Sequence, residues 1–182
     1  LDLDVFERNL DTLAATLAGH KVRVRPHAKS HKCPEIALRQ MARGAVGVCC
    51  QKVSEAEAMV EGGVMNVMIA NEVIGAQKIS RLATLAGHSR ISVCVDNAQN
   101  VADLDTATRS AGVKIDVLVE IDVGAHRCGV TAGQPVVDLA NRIAAARNLR
   151  FAGIHAYQGA AQHVGFGRLT SLQTRLVVMG GG

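Results

Sequence analysis

Aromatic side chains are nearly missing: the 182-residue chain has no tryptophan, one tyrosine and three phenylalanines. Alanine, valine and leucine must therefore fill its core. Proteins that read nucleic acid interleave aromatics with basic runs, and this sequence has no such run. Its formal charge of +4 is modest and dispersed, which argues against a nucleic-acid partner. No apolar run approaches the ~20 residues of a membrane span, and the opening residues do not resemble a signal peptide. The reading is therefore a cytoplasmic protein with no membrane partner. The five cysteines, Cys33, Cys49, Cys50, Cys94 and Cys128, are odd in number, include an adjacent pair and lack CxxC spacing. They describe neither a disulfide framework nor a zinc ribbon, and Cys49 and Cys94 sit in apolar runs where a thiol serves as a small hydrophobe. Dinucleotide, Walker and GxSxG glycine patterns are also missing, and Ser30 has no acid placed for a triad. No linker, low-complexity tract or close repeat interrupts the chain.

What is present is a rhythm. Leu3, Phe6, Leu10, Leu13 and Leu17 predict a helix over 1–17, although Leu1 to Asp4 could be the tail of a strand. Strands are predicted at Val22–Arg25, Ala45–Cys50, Val67–Ala70, Ile91–Val95, Ile115–Ile121, Phe151–His155 and Leu176–Met179. Helical patterns lie between them, including Pro34–Met41, one capped by Ser54, Gly75–Ala86, Val101–Ala111 and Val136–Ala146. About seven strands thus alternate with helices at a period of roughly twenty to thirty residues, the pattern of βαβ units on a parallel sheet. An open doubly wound sheet and a (β/α)8 TIM-type barrel both fit. Lys29, Gln51, Asn71, Asp96, Arg127, Tyr157 and the triple glycine Gly180–Gly182 all follow strands at their carboxyl ends. A barrel gathers all such ends around one mouth, whereas an open sheet uses only its switch point. The barrel is preferred. A complete one takes about 250 residues, so the expectation is an incomplete barrel: residues 1–182 form one barrel domain, a fragment, with a segment between His163 and Arg175 too short for an ordinary crossover.

The chemistry concentrates around Arg25-Pro26-His27-Ala28-Lys29-Ser30-His31-Lys32-Cys33. Pro26 ends the strand and Pro34 opens a helix, so Lys29 sits on a strand-to-helix loop. With Arg25, His27, His31 and Lys32 nearby and partial desolvation, its ammonium would lose a proton more easily and become a nucleophile. A solvated basic loop is the alternative. The positive charge near Lys29 and at Arg127 suits an anionic small molecule. Three glycines after a late strand would let backbone amides approach a phosphate, and a lysine beside a phosphate cup suggests pyridoxal 5'-phosphate. A metal at His27, His31 and Cys33 is disfavoured by the surrounding cations; loop packing and support of Lys29 is the reading preferred.

Arg25-Pro26-His27-Ala28-Lys29, Gln51-Lys52-Val53-Ser54-Glu55-Ala56, Val119 to Gly124, Arg127-Cys128-Gly129-Val130 and Tyr157-Gln158-Gly159 resemble the alanine-racemase-type (fold type III) pyridoxal-phosphate barrels. Within that family they most resemble the D-threonine aldolases, next to the D-serine and 3-hydroxyaspartate dehydratases. The resemblance covers about residues 1–163. It implies that Lys29 is the catalytic lysine that anchors the cofactor, that Arg127 partners the pyridine nitrogen and that Tyr157 lies near the ring. It also implies that Gly180, Gly181 and Gly182 hold the phosphate, with Gln51 a further cofactor contact. The implied activity is retro-aldol cleavage of β-hydroxy D-amino acids such as D-threonine to glycine and an aldehyde. D-serine or 3-hydroxyaspartate dehydration, and a non-catalytic pyridoxal-phosphate homeostasis protein, are the rival readings. The resemblance further implies a homodimer and a divalent metal, manganese or magnesium, held by a C-terminal β domain to which no part of this sequence corresponds. No metal ligand is assigned here, and residues 1–182 alone are expected to be inactive as an aldolase.

Overall fold

The computed structural model describes residues 2–159. The chain runs through α1 (Leu3–Leu17), a 3-10 turn (Ala28–Ser30), α2 (Pro34–Ala42), β1 (Val48–Cys50), α3 (Val53–Glu61), β2 (Asn66–Glu72) and α4 (Ala76–Ala86). β3 (Arg90–Val95), α5 (Ala98–Ala111), β4 (Ile115–Ile121), α6 (Gln134–Ala145) and β5 (Leu149–Ala156) follow. All four strand pairings are parallel, and the spatial order β1-β2-β3-β4-β5 repeats the sequence order. A doubly wound sheet would reverse direction at a switch point. Strands added one by one in the same sense make a barrel wall instead, so the fold is part of a TIM-type barrel.

The two faces of the wall differ chemically. Val48, Cys50, Val67, Ile69, Ile91, Val93, Val95, Ile115, Val117, Val119 and Ile121 belong to one core cluster with the helix residues Ala37, Met59, Leu82, Leu104 and Ile143. The intervening positions Met68, Ala70 and Cys94 form a second, smaller cluster with Cys49 and Leu118. Alternation along a strand puts these sets on opposite faces: helices cover the outside, and the second set lines the barrel interior. β4 shows it best. Ile115, Val117, Val119 and Ile121 face the helices, while Asp116, Leu118 and Glu120 face inward.

Caps and glycines fix the helix ends. Asp2 accepts the Val5 N–H at 3.0 Å to start α1, and Asn97 accepts from Gln99 at 2.7 Å to start α5. Gly112, at φ 68°, closes α5 in the left-handed conformation.

Three expectations are corrected. Val22–Arg25 is not a regular strand: it runs beside β1, with Val46 N–H donating to Val24 O and Cys49 N–H to Pro26 O, but only His27 and Cys49 form a bridge. Pro26 lacks a donor and Gly47 sits at φ 137°, so the ladder cannot propagate. The cap of α3 is Lys52 rather than Ser54, which lies inside the first turn. α5 begins at Ala98, before the expected Val101, because Asn97 supplies the cap. The expected strand Leu176–Met179, the segment from His163 to Arg175 and Gly180–Gly182 lie outside the described residues.

Candidate active site

The carboxyl ends of the strands share one rim, and two groups of polar residues stand on it. The first is built around Glu120, the last inward-facing residue of β4, whose side chain is 3% exposed. Its Oε1 lies 3.6 Å from Arg127 Nη2 and accepts from the Cys128 thiol at 3.7 Å. Its Oε2 contacts His155 Nδ1. The Arg127 guanidinium also lies over the Tyr157 ring, 4.0 Å from its centre, a cation–π contact. Burial opposes the charge on Arg127, but Cys128, Glu120 and Tyr157 outweigh it and leave the group more firmly protonated than usual.

Backbone geometry brings these side chains together. In β5, Val117 pairs with Phe151 but Leu118 pairs with Gly153, so Ala152 is an extra residue, and Gly153 takes φ 124°. This bulge shifts the alternation by one. Without it His155 would face the helices; with it His155 faces inward and opposes Glu120. On the other side, the loop after β4 folds back on the strand: Val130 N–H donates to Glu120 O, and Asp122 N–H to Val130 O, both at 3.0 Å. Gly129 makes the approach possible. It has φ 100°, and a Cβ there would stand 2.6 Å from the Ile121 carbonyl carbon and 2.7 Å from Asp122 N. Its N–H donates to Asp96 at 3.0 Å. Asp122 accepts from Gly124 N–H at 2.8 Å and His126 N–H at 3.0 Å, and these bonds hold its carboxyl below the usual range.

Glu72, at the end of β2, completes this acidic interior. Burial pushes its carboxyl upward, with Asp96 and Glu120 adding to the effect. Its Oε1 is buried without a hydrogen-bond partner among the described residues.

The second group surrounds Lys29. The His27 side chain accepts the Lys29 N–H at 3.3 Å and so shapes the 3-10 turn. His27 also meets the Gln51 side chain; burial, and then the Lys29 charge, hold its imidazole below the ordinary value. His31 Nδ1 accepts from Cys33 N–H at 3.1 Å, burial lowers its pKa as well, and its Nε2 is buried without a partner among the described residues. Lys29 itself is exposed, against the expectation of partial desolvation, while its neighbour Ala28 on the same turn is buried. The expected site residues thus fall into two pairs, Arg127 with Tyr157 and Lys29 near Gln51 through His27. Gly180, Gly181 and Gly182 lie outside the described residues.

Sequence reading missed Glu120, His155 and Glu72. A signal for Glu120 existed: Asp116 and Glu120 are the only acids in a strand whose other face is entirely aliphatic, four residues apart and hence on one face. Asp116 closes the opposite end of the interior, receiving Arg90 at 2.9 Å and Arg150 at 2.5 Å. Burial would raise its carboxyl, yet the two arginines hold it low.

Residues 1–175 match the family described as alanine racemase, N-terminal domain. The chain belongs to the alanine racemase N-terminal domain family. Family relatives share about half its residues. A D-threonine aldolase of Arthrobacter sp is 52% identical over 163 residues, covering 90% of this chain and 43% of that protein. A 3-hydroxy-D-aspartate aldolase of Paracoccus denitrificans is 49% identical over 166 residues, with the same coverage of 90% and 43%. The crystal structure of a D-threonine aldolase from Filomicrobium marinum superposes with a TM-score of 0.88 at 58% identity, over 90% of this chain and 44% of that one. The chain spans less than half the length of these relatives.

Pyridoxal phosphate fits the chemistry of this family member's rim: an exposed lysine at Lys29, and a cation at Arg127 lying over the aromatic face of Tyr157. A divalent cation fits less well. The residues that approach one another as ligands would, Cys94, Glu120 and His155 or Glu72, Glu120 and Cys128, share Glu120, whose oxygens already meet Arg127 and His155. An ion there would have to displace the guanidinium. No helix among the described residues is long and apolar enough to cross a membrane.

Proposed function

We propose that this chain is the cofactor-binding barrel of a pyridoxal-phosphate-dependent lyase that cleaves β-hydroxy D-amino acids, D-threonine among them, to glycine and an aldehyde. The observation that carries the reading is the placement of Lys29 and the Arg127–Tyr157 pair on the same carboxyl-end rim of a parallel barrel wall. The relatives of about half identity, themselves named aldolases, support the same reaction. Lys29 would anchor the cofactor, with Gln51 and His27 shaping the turn that presents its amine. Arg127 would donate to the pyridine nitrogen; a guanidinium has no acceptor, so that nitrogen stays unprotonated. Tyr157 holds Arg127 flat, and Gly180 to Gly182 would receive the phosphate. Bound there, pyridoxal phosphate supplies an electron sink for the pair released at the substrate α-carbon. An unprotonated ring is a weaker sink, which restrains side reactions such as transamination.

The proposal extends to a cytoplasmic homodimer in the full-length protein. It also takes in a manganese or magnesium ion at the substrate hydroxyl, with ligands outside the described residues. The test is product analysis of the full-length protein with D-threonine and pyridoxal phosphate. Glycine with acetaldehyde in equal amounts supports aldol cleavage. A keto acid with ammonia identifies a dehydratase instead, and absence of turnover with tight cofactor binding identifies a carrier.

A further inference from the structure

We infer that Arg25 is a positioning residue for the Lys29 turn: its guanidinium crosses the bare α-carbon of Gly47 to reach Asn66, and so ties the segment that enters the turn to β2. The inference rests on the reading of Lys29 as the residue that anchors the cofactor. The turn begins at Ala28, three residues after Arg25, and the segment ahead of it is weakly held. Val24 O accepts from Val46 N–H at 3.0 Å and Pro26 O from Cys49 N–H at 2.7 Å, with one bridge between His27 and Cys49. The regular ladder between β1 and β2 starts one level higher, at Val48 and Val67. At the level of Gly47 and Asn66 a side chain replaces the ladder.

Arg25 Nη1 donates to Asn66 Oδ1 at 3.1 Å and to Asn66 O at 3.4 Å. The Asn66 amide in turn donates to Val46 O at 2.7 Å, and Val46 N–H returns to Val24 O. These links close a ring from Arg25 through Asn66 and Val46 to the residue before Arg25. A guanidinium can only donate and a peptide carbonyl can only accept, so the Asn66 amide has a single orientation. Gly47 makes the crossing possible. A Cβ there would stand 2.5 Å from Arg25 Nη1 and 2.3 Å from Asn66 O. The charge on Arg25 is otherwise unfavourable. Its side chain is half-buried; burial works against the charge, and so do Arg90 and Arg23. Asp116 lies nearby, but Arg90 and Arg150 already bond to its two oxygens. Holding a cation in such surroundings costs stability. What it gives is reach, since no aliphatic side chain could donate across Gly47 to Asn66.

The experiment uses the full-length protein. In the cofactor-free state, hydrogen exchange read by mass spectrometry follows the amides of Lys29, His31 and Lys32, whose bonds to His27 Nδ1 and Ala28 O shape the turn. Arg25→Ala should speed their exchange by about fivefold to tenfold, the factor that one net hydrogen bond is worth, and leave the β4 amides unchanged. Pyridoxal phosphate, trapped with borohydride, should then accumulate on Lys29 about tenfold to a hundredfold more slowly, since ~1 Å of misplacement can cost a hundredfold. Guanidinium chloride at millimolar concentration should restore both readouts by occupying the space beside Gly47, and ammonium chloride should not. Gly47→Ala, which blocks the crossing, should match Arg25→Ala, and the double variant should be no slower than either. Should Arg25→Ala fail to fold, Arg25→Lys, which keeps the charge but not the guanidinium fork, should give the same changes more weakly. Turn exchange and trapping rates unchanged in both Arg25→Lys and Gly47→Ala overturn the inference. Exchange accelerated equally in β4 also overturns it, since Arg25 would then support the fold at large. Faster exchange confined to the turn, with the label trapped on another lysine, upholds Arg25 as the positioner of the turn and overturns the reading of Lys29 as the anchor.

Discussion

Gly129→Ala should disturb the site more than its chemistry suggests, and Gly133→Ala provides the control. Both glycines have similar backbone angles, φ 100° and φ 109°, so an alanine at either bears a strain of about 1–3 kcal/mol for the left-handed half of backbone space. Their surroundings differ. A Cβ at Gly133 meets nothing within 4 Å, whereas at Gly129 it stands 2.6 Å from the Ile121 carbonyl carbon and 2.7 Å from Asp122 N. Carbon contacts are favourable at about 3.5–4.0 Å, and these neighbours are backbone atoms that no rotamer change can move. The loop must withdraw, which strains or breaks the two 3.0 Å bonds between Val130 and the end of β4 and the Gly129 N–H bond to Asp96. At about 1 kcal/mol each, net, the additional cost is about 1–3 kcal/mol. Urea denaturation of both variants in the cofactor-free protein measures the difference. Gly129→Ala should be the less stable by at least ~1 kcal/mol, and it should also weaken cofactor binding, since the loop carries Arg127. Equal stability of the two variants within ~0.5 kcal/mol would refute the close approach of loop and strand.

At the opposite end of the interior, Asp116→Asn should destabilise by about 1–2 kcal/mol. That lies at the low end for a buried ion pair, because Arg90 and Arg150 are more than half exposed and return to water; cofactor affinity should not change, and urea unfolding with cofactor titration reads both. Burial holds the folded-state pKa values of His27 and His31 below the ordinary value. Protonation therefore favours the unfolded chain, and stability should be full above about pH 6.5 and decline as pH falls below it. The decline should be shallower in a His27→Gln, His31→Gln double variant; an identical slope would rule out this linkage. Burial pushes the Cys49 thiol to about 11 and Cys50 to about 12, and Cys94 is fully buried. A thiol reagent at pH 8 should label Cys33 and Cys128 well before these three, as peptide mass mapping would show.

Much of the wall was legible because its signals are local. β4 has the predicted bounds Ile115–Ile121, since a run of β-branched residues ends at a glycine-bearing loop. The choice of barrel over open sheet followed from polar residues at many strand ends and agrees with the sequential strand order. The site was harder to read. Arg127 and Tyr157 are thirty positions apart in sequence and meet only because β4 and β5 are adjacent. The bulge at Ala152–Gly153 cannot be counted from one strand alone, since it exists only relative to the register of its neighbour, and with it went the inward placement of His155. The edge segment 22–27 misled because alternation in Val22 to Arg25 says nothing of whether Pro26 and Gly47 let a ladder form. Lys29 was expected to be partly desolvated on the basis of charged neighbours, but charge in the adjoining sequence does not decide burial, and on this turn it is Ala28 that is buried.

The most direct test of the central claim is to add pyridoxal phosphate to the full-length protein, reduce with borohydride and map the modified peptide by mass spectrometry. The account predicts the cofactor mass on Lys29, in the peptide containing Pro26-His27-Ala28-Lys29, and loss of that label in Lys29→Ala. Label on any other lysine, or full labelling of the Lys29→Ala protein, would contradict it.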